Sequence, residues 1–434
     1  MSCNKLFNRI KAKTSKGTWY LFAGLISLAL LPASLNAAAR TASVTGNWSN
    51  TVTWGGAAVP TSIDSVTINA GIVVTVDVMN AVSSGTWIKG TLRASRVASS
   101  SWSLTTGDIL ISTGGYLDYG SEADTIPNAL IAHIVLSTGS VSYRAGLIVD
   151  VSGNFTVRGS TKTPYAFATQ SITAATSLTV SGSTSAIGWQ LGDQITIGPT
   201  SGNGPGSTDS RTITGITNQP ACNPSCTVSF SGVPLSRALS STSPIIVGNL
   251  TRNVLVRSSG TVAANSAYIL NLAQNATSFS LAQGEFAYLG NSTARKYGIT
   301  FDGALTKGSI SSSTVRNGGY CGITLNPSSS LITLTGNNIY SSVSEGIFVY
   351  NSSSNTLIGN NLYSGMGQGI YVYSGSYNTL TGNNLYSNVG VGIYLDNTAN
   401  NTLAGNTSCS NSGSGIFVSV SPKNTLTGNN LYSN

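Results

Sequence analysis

The sequence predicts an all-β protein whose C-terminal part is a right-handed parallel β-helix, a solenoid built from coils of 23 residues. Two markers recur along this part at nearly the same step. Gly-Ile pairs begin at Gly298, Gly322, Gly346, Gly369, Gly392 and Gly415. Gly-Asn pairs end at Asn337, Asn360, Asn383, Asn406 and Asn429. Periods of this size are typical of solenoids, in which each repeat packs only on its neighbours.

The pattern within one repeat predicts three short strands. Residues 369–373 (GIYVY) alternate with period 2, Asn-Thr-Leu from Asn378 begins a second strand, and Asn-Asn-Leu-Tyr from Asn383 supplies a turn and a third. No repeat contains a helical stretch, which favours a β-helix over a leucine-rich horseshoe. Stacked coils place identical residues about 4.8 Å apart, so an inward column of asparagines is expected to form a hydrogen-bonded ladder.

The chain is expected to begin with a secretory signal peptide over residues 1–39. A basic segment precedes an apolar core at residues 19–31, and Ala37-Ala38-Ala39 follows as a small-residue cleavage site. The apolar core is too short to span a bilayer, so we expect a secreted or cell-surface protein without a membrane span in the mature chain. The signal contains five basic and no acidic residues, and its removal lowers the formal net charge from +8 to +3. The basic balance therefore gives no support for a nucleic-acid partner.

Four cysteines follow the signal peptide. Cys222 and Cys226 flank Asn-Pro-Ser in a polar loop, and in an exported protein this spacing predicts a local disulfide rather than a metal site. Cys321 and Cys409 lie nearly four coils apart, about 18 Å along the stack, which exceeds the reach of a disulfide. We expect both to be free thiols that pack as small apolar residues.

Residues 40–160 are rich in predicted strands but lack a period. They contain Asn47-Trp48-Ser49, Trp54-Gly55-Gly56, Asp64-Ser65-Val66 and a series of spaced glycines, and Trp189-Gln190-Leu191-Gly192-Asp193 and Asn249-Leu250-Thr251-Arg252-Asn253-Val254 follow. This order resembles the G-eight domain (named for eight glycines) and the β-helix of the fibrocystin and cell-migration-inducing hyaluronidase family. The resemblance implies a G-eight-like β domain at 40–160, a β-rich connecting region at 161–255 and β-helix repeats at 256–434.

The hyaluronan-degrading members of that family carry two histidines in an Arg-Tyr-Pro-x-His-x-His motif. The matching stretch here begins at Lys296-Tyr297 and replaces the two histidines with Thr300 and Asp302. The only histidine of the chain, His133, lies far upstream. The resemblance therefore does not imply hyaluronidase activity for this chain.

The acidic residues of the repeats are too sparse to form an obvious catalytic pair. Asp302 and Asp396 fall in one outward column, four coils or about 19 Å apart, whereas paired glycosidase carboxylates need about 5 to 9.5 Å. A polysaccharide lyase or hydrolase would need a base and a cation, and Lys296, Asp302 and Arg316 are the weak catalytic candidates. No cofactor or metal is indicated, although calcium is possible in such a site.

Aromatic residues form the clearer outward pattern. One column, with two neighbouring tyrosines, comprises Phe348, Tyr350, Tyr371, Tyr373, Tyr394 and Phe417. A second column reads Arg316, Tyr340, Tyr363, Tyr386, Cys409 and Tyr432. Sugar rings stack on flat aromatic faces, so the first set predicts a carbohydrate-binding site. Stacked rings that merely stabilise the coils are the alternative, and it is favoured for the second column.

Three functions are consistent with these patterns. The first is an exported protein that binds extracellular or cell-surface polysaccharide, the second a structural or adhesive solenoid, and the third a lyase or hydrolase of the pectin-lyase-like superfamily. Binding is preferred over catalysis because the acids do not pair. The last coil lacks a capping segment, so we expect the native product to continue beyond Asn434.

Overall fold

The computed structural model describes residues 37–138, 146–168, 170–171, 175–181, 187–199, 208–218, 222, 224–232, 235, 239 and 245–434. Residues 1–36 of the expected signal peptide lie outside this set, and Ala39 already opens the first strand. Short 3₁₀ helices occur at Thr51–Trp54 and Ala263–Asn265. None of the helices formed by the described residues has the length and apolar character that crossing a membrane requires.

Strands dominate the described residues. The N-terminal part forms β1 (Ala39–Ala42), β2 (Gly46–Asn47), β3 (Ser65–Ile68), β4 (Val73–Val76), β5 (Ala81–Ser83), β6 (Thr86–Ile88), β7 (Thr91–Ala94), β8 (Ser100–Leu104), β9 (Ile109–Ile111), β10 (Tyr116–Tyr119), β11 (Ala132–Leu136), β12 (Gly146–Val149) and β13 (Asn154–Arg158). The central part forms β14 (Tyr165–Ala168), β15 (Ser177–Ser181), β16 (Gln194–Ile197), β17 (Asp209–Ile216), β18 (Ser225–Phe230) and β19 (Ile245–Asn249).

The C-terminal part continues with shorter strands. They are β20 (Val254–Ser258), β21 (Tyr268–Asn271), β22 (Phe279–Ala282), β23 (Gly284–Ala287), β24 (Ile299–Phe301), β25 (Gly308–Ser311), β26 (Thr314–Arg316), β27 (Ile323–Leu325), β28 (Ile332–Thr335), β29 (Asn338–Tyr340), β30 (Ile347–Tyr350), β31 (Thr356–Ile358), β32 (Asn361–Tyr363), β33 (Ile370–Tyr373), β34 (Thr379–Thr381), β35 (Asn384–Tyr386), β36 (Ile393–Asp396), β37 (Thr402–Ala404), β38 (Thr407–Cys409), β39 (Ile416–Ser419), β40 (Thr425–Thr427) and β41 (Asn430–Tyr432).

Three parallel sheets run along the whole stack of coils. The first sheet has the order β1-β3-β6-β9-β12-β21-β24-β27-β30-β33-β36-β39. The second has the order β2-β4-β7-β10-β13-β22-β25-β28-β31-β34-β37-β40. The third runs β5-β8-β11-β20-β23-β26-β29-β32-β35-β38-β41. This arrangement confirms the predicted parallel β-helix.

The coil stack begins well before the periodic part of the sequence. Parallel pairing starts at β1 and β3, inside the segment that the sequence analysis treats as a separate β domain. The coils there differ in length, since Ile109 pairs with Leu147 and Leu147 pairs with Ile269, steps of 38 and 122 residues. Coils of unequal length leave no sequence period, which explains why the repeats alone do not indicate them.

The interior is a continuous apolar column. The isoleucine of each Gly-Ile pair points inward, and Ile299, Ile323, Ile347, Ile370 and Ile393 are fully buried. Phe155, Phe279 and Phe301 meet edge to face, with ring centroids 6.0 Å and then 5.2 Å apart. Burial of each such side chain contributes about 1.5–3 kcal/mol, so the stack is held chiefly by this column.

Asparagine ladders bound the strands of the second sheet. The side chain of Asn360 donates to Asn383 Oδ1 at 2.9 Å, and Asn383 donates in the same way to Asn406 at 3.0 Å. Each of these amides also donates to a backbone carbonyl, so the buried groups are satisfied. A second ladder precedes the same strands and includes Asn355 and Asn378, 2.9 Å apart. The predicted asparagine ladder is thereby confirmed.

A closed antiparallel barrel is inserted between β13 and β20. The described strands of this barrel have the order β14-β15-β18-β17-β16-β19 and enclose Trp189, Leu178 and Val228. Cys222 and Cys226 form a disulfide that is buried in its core. Cys321 and Cys409, by contrast, are buried and unpaired.

The barrel is fixed to the coil stack by a buried polar junction. Lys162 Nζ lies 2.5 Å from Asp193 Oδ1, and Asn249 Nδ2 donates to the other Asp193 oxygen at 2.7 Å. Arg252 is also buried; burial lowers the pKa of its guanidinium to about 10, although Asp193 and Glu285 oppose the shift. Asn338 of the coil stack donates to the Asn249 carbonyl at 2.9 Å. Because charges buried without partners are costly, these contacts fix the barrel in one position.

Candidate functional site

The outer face of the first sheet carries the predicted aromatic column. In strands β30, β33, β36 and β39, the residue after each inward isoleucine points outward, and Phe348, Tyr371, Tyr394 and Phe417 are in register. Successive ring centroids are 5.2, 4.9 and 5.1 Å apart. The first two pairs lie within 19° of parallel and the last is tilted by 52°.

Two further tyrosines lie beside this column. Tyr350 and Tyr373 are register partners with ring centroids 5.8 Å apart, and Tyr350 also stacks on Phe348 at 5.6 Å. The next position in their column is Asp396, which accepts a hydrogen bond from Tyr371 Oη at 3.0 Å. We call the six aromatic residues the aromatic face: Phe348, Tyr350, Tyr371, Tyr373, Tyr394 and Phe417.

The geometry determines which parts of these rings a ligand can reach. Rings that stack about 5 Å apart cover one another's flat surfaces and present their outer edges and hydroxyls to solvent. Tyr350 is 38% exposed, which makes its ring more accessible than the other rings of the aromatic face except Phe417 in the last coil. Burial raises the pKa of the Tyr371 hydroxyl, and the hydrogen bond to Asp396 and its charge raise it further. This hydroxyl is therefore a neutral hydrogen-bond donor near pH 7.

The weak catalytic candidates are not brought together. Asp302 follows β24 on the first sheet, and its carboxylate is held by Arg295 at 2.5 Å and Asn326 at 2.9 Å. Arg316 belongs to β26 on the third sheet, where it pairs with Glu285 at 2.7 Å. Asp302 and Arg316 thus lie on different sheets, and the catalytic role considered for Lys296, Asp302 and Arg316 stays a prediction.

Lys296 lies instead at a cavity on the first sheet. Its Nζ sits 5.1 Å from the ring centroid of Tyr268, and the cavity, of about 220 Å³, is lined by Ile148, Tyr268, Leu270, Ala294, Arg295 and Lys296. Sequence reasoning named only Lys296, because Ile148 and Leu270 come from coils outside the regular repeat. The cavity lies on the same sheet as the aromatic face and has a basic rim.

The position of the family's first histidine is closed to solvent. Thr300 occupies that position on β24, pairs in register with Leu270 and Thr324, and is fully buried. The second position, Asp302, is engaged by its two partners. Neither position carries an imidazole, the group to which the resemblance would assign hyaluronan cleavage.

The second aromatic column is covered by the barrel. Tyr340, Tyr363 and Tyr386 stack on the third sheet with centroids 5.0 Å apart, and Tyr363 and Tyr386 are almost parallel. Ile246 and Leu250 from the end of the barrel pack on them. Burial raises the pKa of Tyr363 and Tyr386 well above the usual range. The barrel thus buries this column. This agrees with the expectation that its rings stabilise the coils rather than bind sugar.

The described residues contain no group of three or more His, Cys, Asp or Glu side chains placed to hold a metal ion. His133 is half-buried, and burial together with Arg257 lowers the pKa of its imidazole. It lies on β11 of the third sheet, away from the aromatic face.

The fold and the outer face define a parallel β-helix protein with an exposed aromatic column. Comparison with protein families agrees. Residues 297–434 match the model described as "Right handed beta helix region", and residues 53–169 match the G8 domain. The two matches agree in kind and in order with the G-eight domain and the right-handed β-helix that the resemblance implies. No curated protein is significantly similar in sequence.

Several solved structures are similar over most of the chain. The periplasmic alginate epimerase AlgG is 12% identical, with a TM-score of 0.35, over 82% of this chain and 64% of its own. The A-module of Azotobacter vinelandii mannuronan C-5 epimerase AlgE4 is 10% identical, with a TM-score of 0.30, over 84% and 86%. The Dettilon tailspike protein is 11% identical, with a TM-score of 0.32, over 84% and 55%. The chain thus spans less than two thirds of AlgG and of the tailspike.

Proposed function

We propose that this chain is an exported β-helix protein that binds extracellular or cell-surface polysaccharide on its aromatic face. One observation carries the proposal: a continuous, partly exposed run of aromatic rings lies on a surface that is otherwise polar. Monomeric proteins seldom expose large apolar patches without a binding role. Apolar C–H faces of sugar rings suit aromatic surfaces, while the sugar hydroxyls keep hydrogen bonds to neighbouring polar groups.

The arrangement suggests how a glycan would lie. Sugar rings would rest on the solvent-facing edges of Tyr371 and Tyr394 and on the exposed Tyr350 beside them. The Tyr371 hydroxyl and the Asp396 carboxylate, 3.0 Å apart, would contact sugar hydroxyls beside them. The strands hold successive rings at a fixed step, so little side-chain freedom is lost on binding, and this preorganisation favours an extended chain over a single sugar.

The test is a glycan-array screen of the mature protein, followed by titration of the best ligand. We expect Tyr371→Ala and Tyr394→Ala each to weaken binding about fivefold, since each removes about 1 kcal/mol of ring contact. Tyr377→Ala is the matched control, because Tyr377 is a 65% exposed tyrosine in the coil of Tyr371 but outside the aromatic face. Asp302→Ala is expected to leave binding unchanged.

Three results would contradict the proposal. Absence of binding to any glycan by correctly folded protein would favour a structural or adhesive role for the solenoid. Release of unsaturated or reducing ends from a polysaccharide, abolished by Asp302→Ala, would establish a lyase or hydrolase instead. Equal loss of binding in Tyr377→Ala and Tyr371→Ala would show that the aromatic face is not the site.

A further inference from the structure

The outer face of the second sheet carries two rows of side chains that are rich in threonine. Strands β28, β31, β34, β37 and β40 read ITLT, TLI, TLT, TLA and TLT, with the leucine inward and both flanking residues outward. The register aligns these flanking residues into two rows: the first has threonine on all five strands, and the second alternates between threonine and the apolar residues Ile358 and Ala404. We call the eight threonines the threonine face: Thr333, Thr335, Thr356, Thr379, Thr381, Thr402, Thr425 and Thr427.

Strand propensity does not account for this face by itself. Threonine is a favoured strand residue, so isolated outward threonines need no explanation. Four of the five coils, however, place phenylalanine or tyrosine at the equivalent outward position of the first sheet, and one places Thr324 there. On the third sheet they place asparagine and tyrosine there, such as Asn361 and Tyr363. Threonine is thus concentrated on one face of these coils, whereas the other two faces carry it only at Thr324 and Thr407.

The array is rigid and two-dimensional. Neighbouring strands are about 4.8 Å apart, and on β28, β34 and β40, which carry two outward threonines each, the second threonine lies two positions after the first, about 6.7 Å away. An asparagine ladder lies on each side of these strands. The Asn355 side chain donates to Asn378 before them, and the Asn360 side chain donates to Asn383 after them. Successive threonines are therefore held in a fixed register rather than placed by flexible loops.

The hydroxyls of this face are available to an external partner. None of the eight hydroxyls is hydrogen-bonded to another described residue, and all eight side chains are exposed or partly exposed. The five strands contain no charged residue. Each threonine presents one methyl and one hydroxyl, so the face alternates small apolar and polar groups. A soluble ion or a charged polymer would find no counter-charge there.

We propose that the threonine face binds ice. Ice is a lattice of water molecules with regular repeats in two directions, and both spacings of the threonine array are close to repeats on a prism face of that lattice. Uncharged hydroxyls can join such a lattice while the methyls occupy the spaces between water molecules. A rigid array holds many weak contacts in place at once, and their sum depends on the match of the repeats.

The test uses the purified mature protein in an ice-growth assay. We expect shaped ice crystals and a freezing point lowered below the melting point, together with inhibition of ice recrystallisation. The double variant Thr379→Lys/Thr402→Lys is expected to lose these activities, because two long charged side chains disrupt the array. The control is Tyr377→Lys, which adds a lysine in the coil of Thr379 but off the threonine face. Lys423 occurs naturally at the equivalent position two coils further on, and both residues have a positive φ near 60°.

Each outcome decides the proposal. Thermal unfolding of the variants first establishes that they fold. Folded parent protein without any effect on ice growth would overturn the inference, and so would a folded double variant that retains the activity. Binding to crystalline cellulose or chitin that is lost in the double variant, without an effect on ice, would assign the face to a solid polysaccharide. Glycan binding on the aromatic face is expected to be unchanged in all of these variants.

Discussion

At the scale of single residues, buried polar groups show where the N-terminal coils are fixed. Asp64 lies beneath the first strand and accepts hydrogen bonds from the backbone of Ala38 at 2.8 Å and of Thr61 at 2.9 Å. The Thr61 hydroxyl donates at 2.8 Å, and Arg40 lies 3.4 Å away. One carboxylate thus joins the start of β1 to the turn before β3.

This carboxylate predicts an acid-sensitive contribution to stability. Burial alone would raise the pKa of Asp64, but the hydrogen bonds from Thr61, Ala38 and Arg40 outweigh burial and lower it to about 2. Because the folded-state pKa lies below the unfolded value of 3.8, the contribution is present above about pH 4 and is lost as the pH falls towards about 2. Asp64→Asn is expected to lower the free energy of unfolding at pH 7 by about 2 kcal/mol.

Denaturant unfolding from pH 2 to pH 7 measures this effect. The difference between the parent and Asp64→Asn should shrink as the pH falls below about 4. Glu122→Gln serves as the control, since the Glu122 side chain is 90% exposed and should change stability little. A parent–variant difference that stays constant across this pH range would contradict the assignment.

At the scale of elements, the asparagine ladder is what keeps the short strands in register. Each strand of the second sheet is only three or four residues long in the repeats. The ladder supplies a side-chain bond in every coil at the point where the strand ends, where glycines such as Gly382 adopt a positive φ of 61°. The turn thus needs both residue types: glycine for its conformation and asparagine for the bond.

Substitution of one ladder asparagine should remove hydrogen bonds to both neighbouring coils. Asn383→Ala removes the acceptor of the Asn360 backbone N–H and side-chain amide, 3.0 and 2.9 Å away. It also removes the donor to Leu357 O and to Asn406 Oδ1 of the following coil. We expect a loss of about 3 kcal/mol, measured by urea denaturation, because the orphaned groups are buried. Asn429→Ala should cost clearly less, since Asn429 is only partly buried and water can replace its bonds. Equal costs would argue against the ladder as a source of stability.

At the scale of the whole molecule, two tyrosine columns with similar local sequences have opposite environments. Tyr386 on the third sheet is fully buried under the barrel, and a Cβ placed on Gly198 of the barrel would lie 3.2 Å from its ring. Tyr394, eight residues later, is partly exposed on the first sheet. The long-range packing of the barrel, rather than the strand sequence, separates these two environments.

This contrast gives a matched pair of substitutions. Tyr386→Ala should lower the free energy of unfolding by about 3–5 kcal/mol, because it leaves a cavity between barrel and coils. Tyr394→Ala should cost less than half as much and should weaken glycan binding instead. Thermal unfolding and glycan titration on both variants measure the two effects. A larger loss of stability in Tyr394→Ala would show that the ladder on the first sheet is chiefly structural.

The sequence alone predicts the regular coils well because each coil repeats the same inward residues. The Ile347 and Asn360 columns and the outward aromatic face follow from period and alternation. The coils around Ile109 and Leu147 could not be predicted in this way, because their loops differ in length and leave no period in the sequence. The sequence does not indicate the cavity at Lys296, because the barrel insertion separates Ile148 from its register partner Leu270 along the chain. It does not indicate the cover over Tyr363 either, because the barrel itself supplies that cover.

The insertion of the barrel has a consequence for how the molecule folds. Phe155 and Phe279 pack in adjacent coils, yet 124 residues separate them along the chain. Zippering from one end of the solenoid must therefore stop at β13 until the intervening chain is compact. The loop-closure cost grows only slowly with length, about 0.6 kcal/mol per doubling, and an early-folding barrel would shorten the effective loop. The backbone N–H of Ser160, before the barrel, donates to Asn253 Oδ1, after the barrel, at 2.8 Å. This bond would then join the two ends of the inserted segment, and the remaining coils could pack on it.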